Sequence, residues 1–197
     1  MDFAGARDYI IARMKKELSP LLTYHTIGHT LDMHRSAIRL MEMECFEDER
    51  ERVLIETAAN YHDAGMMISY NDHETQSVLI AGEMLPAFGY SREDIDEVAG
   101  LILVTKLPQM PTTLPEQILC DADLDSLGRD DFFIESFRLQ LELKLNGIAM
   151  TTLEEWLRFE VKFFTGHEYF TKSGRALRQE QKHKNFQEIN NILERLQ

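Results

Sequence analysis

Four short fragments of this chain carry side chains able to hold a divalent cation. They are His25 and His29 in Tyr24-His25-Thr26-Ile27-Gly28-His29, the pair His62-Asp63, the pair His73-Glu74, and Asp121-Ala122-Asp123. Imidazole nitrogens and carboxylate oxygens are the protein ligands of zinc, iron, nickel and manganese. Only two cysteines, Cys45 and Cys120, could compete, and they are far apart with no CxxC spacing. His25 and His29 are four residues apart, which on a helix sets both on one face, one turn apart. His62 and Asp63 are adjacent, and a straight helix would splay them by about 100°. Both can approach one ion near a helix end, and Gly65 suggests such an end. Asp121 and Asp123 share a helix, but only one of them is well placed to join a common centre. Any one histidine alone is explained as well by a hydrogen-bonded packing role; the joint pattern is what points to metal. His34 falls outside it and reads as a surface or packing residue, and His167 and His183 also sit outside the pattern.

The elements that must position these residues are helical throughout. Tyr9, Ile10, Met14 and Leu18 recur at three- and four-residue steps, and Ser19-Pro20 stops that helix. A second helix begins near His25 and continues through Leu31, Ile38 and Met41; a third carries Val53, Leu54, Thr57, Ala58 and Tyr61 and ends near Gly65. A fourth runs from His73 to Pro86. Ser91 with Asp94 three residues later marks the N-cap of a fifth, which extends toward Lys106. Prolines 108, 111 and 115 make the stretch from Leu107 to Pro115 a loop, and a helix from Glu116 carries both aspartates. Three more helices are expected over 131–146, 153–164 and 171–195, the middle one opened by a capping box of Thr151 and Glu154. No alternating strand, repeat or linker is visible. The expectation is all-α, a single domain of about eight to nine helices. Residues 1–20 would form an N-terminal helix and 130–197 a C-terminal helical extension packed on the core.

Composition narrows the partners. With 197 residues and 44% hydrophobic content the chain suits one globular domain. No apolar run approaches the roughly 20 residues of a membrane span, and the acidic start lacks a secretory signal, so a cytoplasmic location with two free thiols is expected. The net charge of −13 argues against extended nucleic acid, whose phosphates an acidic surface repels. A small anion held at a metal remains compatible with it.

The order of the fragments resembles the HD superfamily of metal-dependent phosphohydrolases. Tyr24-His25-x-x-x-His29 is similar to the opening motif, Ala58-Ala59-Asn60-Tyr61-His62-Asp63-Ala64-Gly65 to the helix that gives the family its name, and Asp121 through Gly128 to the last ligand helix. From about residue 20 to 190 the chain resembles a bacterial group of HD phosphohydrolases whose substrates are undefined. The resemblance implies a divalent ion (Mn, Fe, Ni, Zn, Co or Mg) on His29, His62, Asp63 and an aspartate. Asp121, which follows the apolar Ile118-Leu119-Cys120, is slightly favoured over Asp123, with Asp125 in support. It also implies His25 as proton donor to the leaving oxygen, Asp63 as a group that orients the nucleophile, and His73 and Glu74 facing the site. Asp72 and Glu74 are equally readable as helix-start residues. Family members with two metals carry further histidines near the end of the next helix. Here that region reads Leu103-Val104-Thr105-Lys106, so one metal is expected.

Lys106, Arg175 and Arg178 are the candidate phosphate-binding cations. The arginines share a helical face with Lys182, although a solvated helix end and a salt-bridged surface helix account for the three as well. The reading is a metal-dependent phosphohydrolase, a phosphomonoesterase or phosphodiesterase, acting on a nucleotide or other small phosphate ester; a homodimer is left open. The alternative is an HD-fold metal- or nucleotide-binding signalling module without turnover, which Thr105-Lys106 in place of histidines favours. A di-iron oxygenase is disfavoured by the same absence.

Overall fold

The computed structural model describes residues 1–149 and 151–196. Among them there are nine α-helices and no strand. They are α1 (Phe3–Glu17), α2 (Ile27–Met43), α3 (Glu49–Tyr61), α4 (His73–Met84), α5 (Arg92–Val104), α6 (Leu114–Asp123), α7 (Phe132–Leu145), α8 (Leu153–Gly166) and α9 (Lys172–Arg195). Short 3₁₀ turns over Ala64–Met67, Leu85–Phe88 and Asp125–Gly128 link some of them.

Caps explain most of the boundaries. The Asp2 side chain accepts from the Gly5 backbone N–H, and Asp48 from that of Glu51, starting α1 and α3. Ser91 and Asp94 form the expected capping box on α5. Three boundaries differ from the sequence reading. Helix α6 starts at Leu114, because Pro115 fits the first turn, where its missing N–H costs nothing, and Thr113 with Glu116 forms the box. The box opening α8 is Thr152 with Glu155, one residue later than expected. Helix α2 starts at Ile27 behind the N-cap Thr26, so His25 precedes the helix instead of sharing its face with His29.

Helices α1 to α6 enclose the main core, whose centre includes Ile10, Met33, Leu54, Ile55, Ile102 and Ile118. Each such side chain, fully buried, contributes roughly 1.5–3 kcal/mol. A smaller cluster of Leu127, Phe132, Leu157, Phe164, Ile189 and Leu193 ties α7, α8 and α9 to the turn after α6. Trp156 and Tyr169 are buried, and Cys45 and Cys120 are both free thiols. No helix among the described residues is long and apolar enough to cross a membrane.

Candidate metal centre

The end of α3 is pinned by α4. The Ser77 hydroxyl donates to the His62 carbonyl at 2.5 Å and accepts from the Gly65 N–H at 2.8 Å. A side chain at Gly65 would run into the His73 carbonyl and Gln76, so glycine is required for this close approach. The chain leaves α3 at His62 and turns at once, which brings the adjacent His62 and Asp63 to the same side.

Four side chains converge there. His29 Nε2 lies 3.3 Å from His62 Nε2, 3.3 Å from Asp123 Oδ1 and 3.6 Å from Asp63 Oδ2. His62 Nε2 lies 3.0 Å from Asp63 Oδ2 and 3.6 Å from Asp123 Oδ1. The His62 Nδ1 faces the Ala59 carbonyl at 3.0 Å, which fixes the proton on that nitrogen and turns the Nε2 lone pair inward. Asp63 Oδ2 is buried with no hydrogen-bond partner. Two imidazole nitrogens 3.3 Å apart, facing two carboxylates of which one has an orphaned oxygen, suit a shared cation.

The aspartate that faces this cluster is Asp123, not the favoured Asp121. Asp121 points the opposite way from α6 and accepts from the backbone N–H groups of Phe170 and Thr171, both at 2.8 Å, and from the Thr171 hydroxyl at 2.6 Å. It anchors the start of α9, and Gly174 has no room for a side chain because Asp121 occupies the space. Burial pushes its pKa upward despite these donors. The apolar lead-in before Asp121 reflects burial against α9. Asp123 also accepts from Gln109 Nε2 at 3.0 Å, a tie to the proline-rich loop.

Without a cation the centre gathers protons. Burial disfavours charge on His62, but Asp63 and Asp123 outweigh it and raise its pKa above the ordinary imidazole range. Burial likewise opposes ionisation of Asp63, yet His62 and His25 hold its carboxyl well below the usual value. His73 is raised, burial again opposing, by its contact with Asp63 Oδ1 at 3.2 Å.

His25 and His73 flank the four. Their rings are 5.6 Å apart, and with Asp63 they form a second trio of donors within reach of one another. Glu74 Oε1 lies 3.7 Å from His73 Nε2. One residue missed in the sequence is Glu142 of α7. It is fully buried and accepts from the Tyr24 N–H at 2.7 Å, the His25 N–H at 3.0 Å and the Tyr70 hydroxyl at 2.9 Å. It also bonds the His25 Nδ1. Burial would raise its pKa, but His25 and these donors hold it down, so it is an anion that orients His25. It lies 117 residues from His25, in a stretch that reads as an ordinary amphipathic helix, and no local signal marks it.

The centre opens into a cavity of about 260 Å³. Its lining includes Asp63, Glu74, Asp123, Glu135 and Glu160 and the four imidazoles, and no lysine or arginine. Lys106 lies outside it and pairs with the exposed Asp72. Arg178 grips Asp125 in a two-pronged pair at 2.6 and 2.8 Å, and Arg175 donates to the Tyr169 carbonyl at 2.7 Å. The expected phosphate-binding role of the two arginines therefore has no geometry behind it: both tie α9 to the body. His34 pairs with Glu56 at 2.8 Å, away from the centre.

No family model matches the chain, and no curated protein matches it in sequence. Solved structures do match in shape. YpgQ of Bacillus subtilis, solved in complex with ADP, superposes with a TM-score of 0.66 at 18% identity, over 98% of this chain and 96% of its own. A predicted HD superfamily hydrolase from an uncultured Thermotogales bacterium gives 0.58 at 17% identity, over 98% and 90%. A Lactobacillus plantarum protein gives 0.70 at 14% identity, over 100% and 97%. The match runs the length of each chain, and with its helical order and converging His and Asp side chains this protein has the HD-domain fold.

Proposed function

We propose that the protein is a metal-dependent phosphohydrolase acting on a nucleotide or another small phosphate ester. The observation that carries this reading is that His29, His62 and Asp123 gather within ligand reach of one another, with an orphaned Asp63 oxygen close to both imidazoles, in a cavity whose described lining has no lysine or arginine. Such a cavity repels a phosphate unless a cation sits at its base. A divalent ion there would lower the pKa of water and offset charge on the phosphoryl oxygens. YpgQ holds ADP, which favours a nucleotide as the ester.

The chain's own groups divide the remaining work. His25 is oriented by Glu142 and stands beside the centre, placed to give a proton to the leaving oxygen. Asp63 turns one oxygen to His73 and leaves the other toward the metal-binding group, so it can bind and orient at once. His73 and Glu74 line the cavity next to it and can receive the proton of the attacking water. Leu124, Leu127 and Phe132 keep the wall apolar.

One metal per chain follows from assigning His25 and His73 to proton transfer instead of a second ion. The test is purification with metal analysis, followed by assay against phosphomonoesters, cyclic nucleotides and nucleoside triphosphates. Activity that disappears on chelation and in His62→Ala supports the reading. Protein with no bound metal and no affinity for manganese, iron, nickel or zinc refutes it, and tight nucleotide binding without product moves it to the non-catalytic module.

A further inference from the structure

The cavity has a second end, which the phosphate chemistry does not use. Helix α8 presents Trp156, Phe159 and Phe163 along one ridge that His167 continues just past its end, their rings stacked in sequence at 5.1, 6.2 and 6.3 Å between centroids. Phe159 and Phe163 both line the cavity, and Phe159 is 48% exposed. Between them Glu160 faces the same space while only 4% exposed. Its Oε1 accepts from the Ser136 hydroxyl at 2.7 Å, and Ser136 in turn accepts from the Trp156 indole N–H at 2.9 Å. Among the described residues no donor bonds its other oxygen and no cation pairs with it. The side chain is thus held by one oxygen, and the other is open to the cavity as an acceptor.

We propose that this end binds the heterocyclic base of the substrate: the base stacks on Phe159 and Phe163 and presents an exocyclic amino group to the free oxygen of Glu160. This rests on the nucleotide reading above. An aromatic face accepts any base, whereas a buried acceptor discriminates, since a base without the amino donor leaves it unsatisfied. Glu160 is thus a specificity residue that selects amino-bearing bases over their oxo counterparts. Phosphate is excluded from this end by Glu135 and Glu160, which fixes the orientation of the nucleotide with its phosphates at the histidine cluster. Burial lifts the Glu160 carboxyl to about 7, so near neutral pH both ionised and protonated forms are present, and both retain an acceptor for the amino group.

Trp156 is the single tryptophan, and it is hydrogen-bonded through Ser136 to Glu160, so its fluorescence reports this end directly. The experiment titrates chelator-treated protein with adenosine against inosine and cytidine against uridine, following Trp156 emission. The amino member of each pair should bind about tenfold more tightly or better. Glu160→Met should abolish the preference. Glu160→Gln, nearly isosteric, should reduce it, since a neutral oxygen accepts about half as strongly. Phe159→Ala should weaken all four ligands alike. Equal binding within each pair, or an unchanged preference in both Glu160 variants, overturns the proposal. Because nucleosides carry no phosphate and the protein no metal in this assay, the outcome is independent of whether the hydrolase reading succeeds.

Discussion

Replacing Asp121 and Asp123 one at a time separates the anchor from the ligand. Asp121 is 1% exposed and accepts three hydrogen bonds, two of them from backbone N–H groups that start α9. A hydrogen bond to a charged group contributes about 1.5–3 kcal/mol, and a buried N–H left without an acceptor costs about 1–3 kcal/mol. These are not additive, and removing the carboxylate also relieves the burial that raises its pKa. A net loss of about 4 kcal/mol is therefore expected for Asp121→Ala. For a chain of this size that lowers Tm by roughly 10 °C. Asp123 keeps one hydrogen bond outside the cluster, from Gln109, and its side chain is 15% exposed. Asp123→Ala should move the metal-free Tm by no more than about 1 kcal/mol equivalent. It should lose the bound metal and with it the additional stability that ligation confers on the folded state. The assay is thermal denaturation of chelated and metal-loaded protein, with metal content by mass spectrometry on the same samples. Asp123→Ala retaining a full equivalent of metal, or Asp121→Ala losing metal at an unchanged metal-free Tm, would refute the assignment.

Other outcomes follow from the same geometry. Glu142→Gln should lower kcat by about 10²- to 10³-fold while KM and metal content stay within a few-fold, because it removes the anion that orients His25 but no ligand; steady-state kinetics with metal analysis checks this. His73→Ala should keep one equivalent of metal and lose most turnover; wild-type protein with two tightly bound equivalents would instead assign the His25–Asp63–His73 trio to a second ion. Glu160 meets Ser136 of α7, Glu135 lines the same cavity and pairs with Arg138, and among the described residues no cation pairs with Glu160. Its folded pKa of about 7 lies above that of a free glutamate, so the folded state binds the extra proton between about pH 4.5 and 7, and stability falls as pH rises through that window. Glu160→Gln should therefore gain up to about 3 kcal/mol on wild type between pH 5 and pH 8, read by denaturant unfolding at the two values.

How far the site could be read from sequence depended on how each residue is placed. His29, His62 and Asp63 are positioned by helix ends close to them in the chain, and helix ends leave local marks: Thr26 before α2, Gly65 after α3. The helices themselves were legible for the same reason, with α5 opened by a capping box between Ser91 and Asp94. The choice between Asp121 and Asp123 had no such mark, because both sit in the last turn of α6. What separates them is α9, which arrives from some fifty positions later with two N–H groups and a hydroxyl for Asp121. Arg175 and Arg178 misled in the complementary way: their shared face is real, but it turns to Asp125 and the Tyr169 carbonyl. Glu142 and Glu160 were invisible because a buried glutamate in an amphipathic helix has the same local sequence as an exposed one. The histidine cluster rests on α2, α3, α4 and α6, whereas the group that orients His25 and the far wall of the cavity come from α7 and α8. A cation could be held by the first set alone. Proton transfer at His25 and discrimination among substrates require the second set in place, so changes in the packing of α7 and α8 are expected to alter turnover and specificity before they alter metal binding.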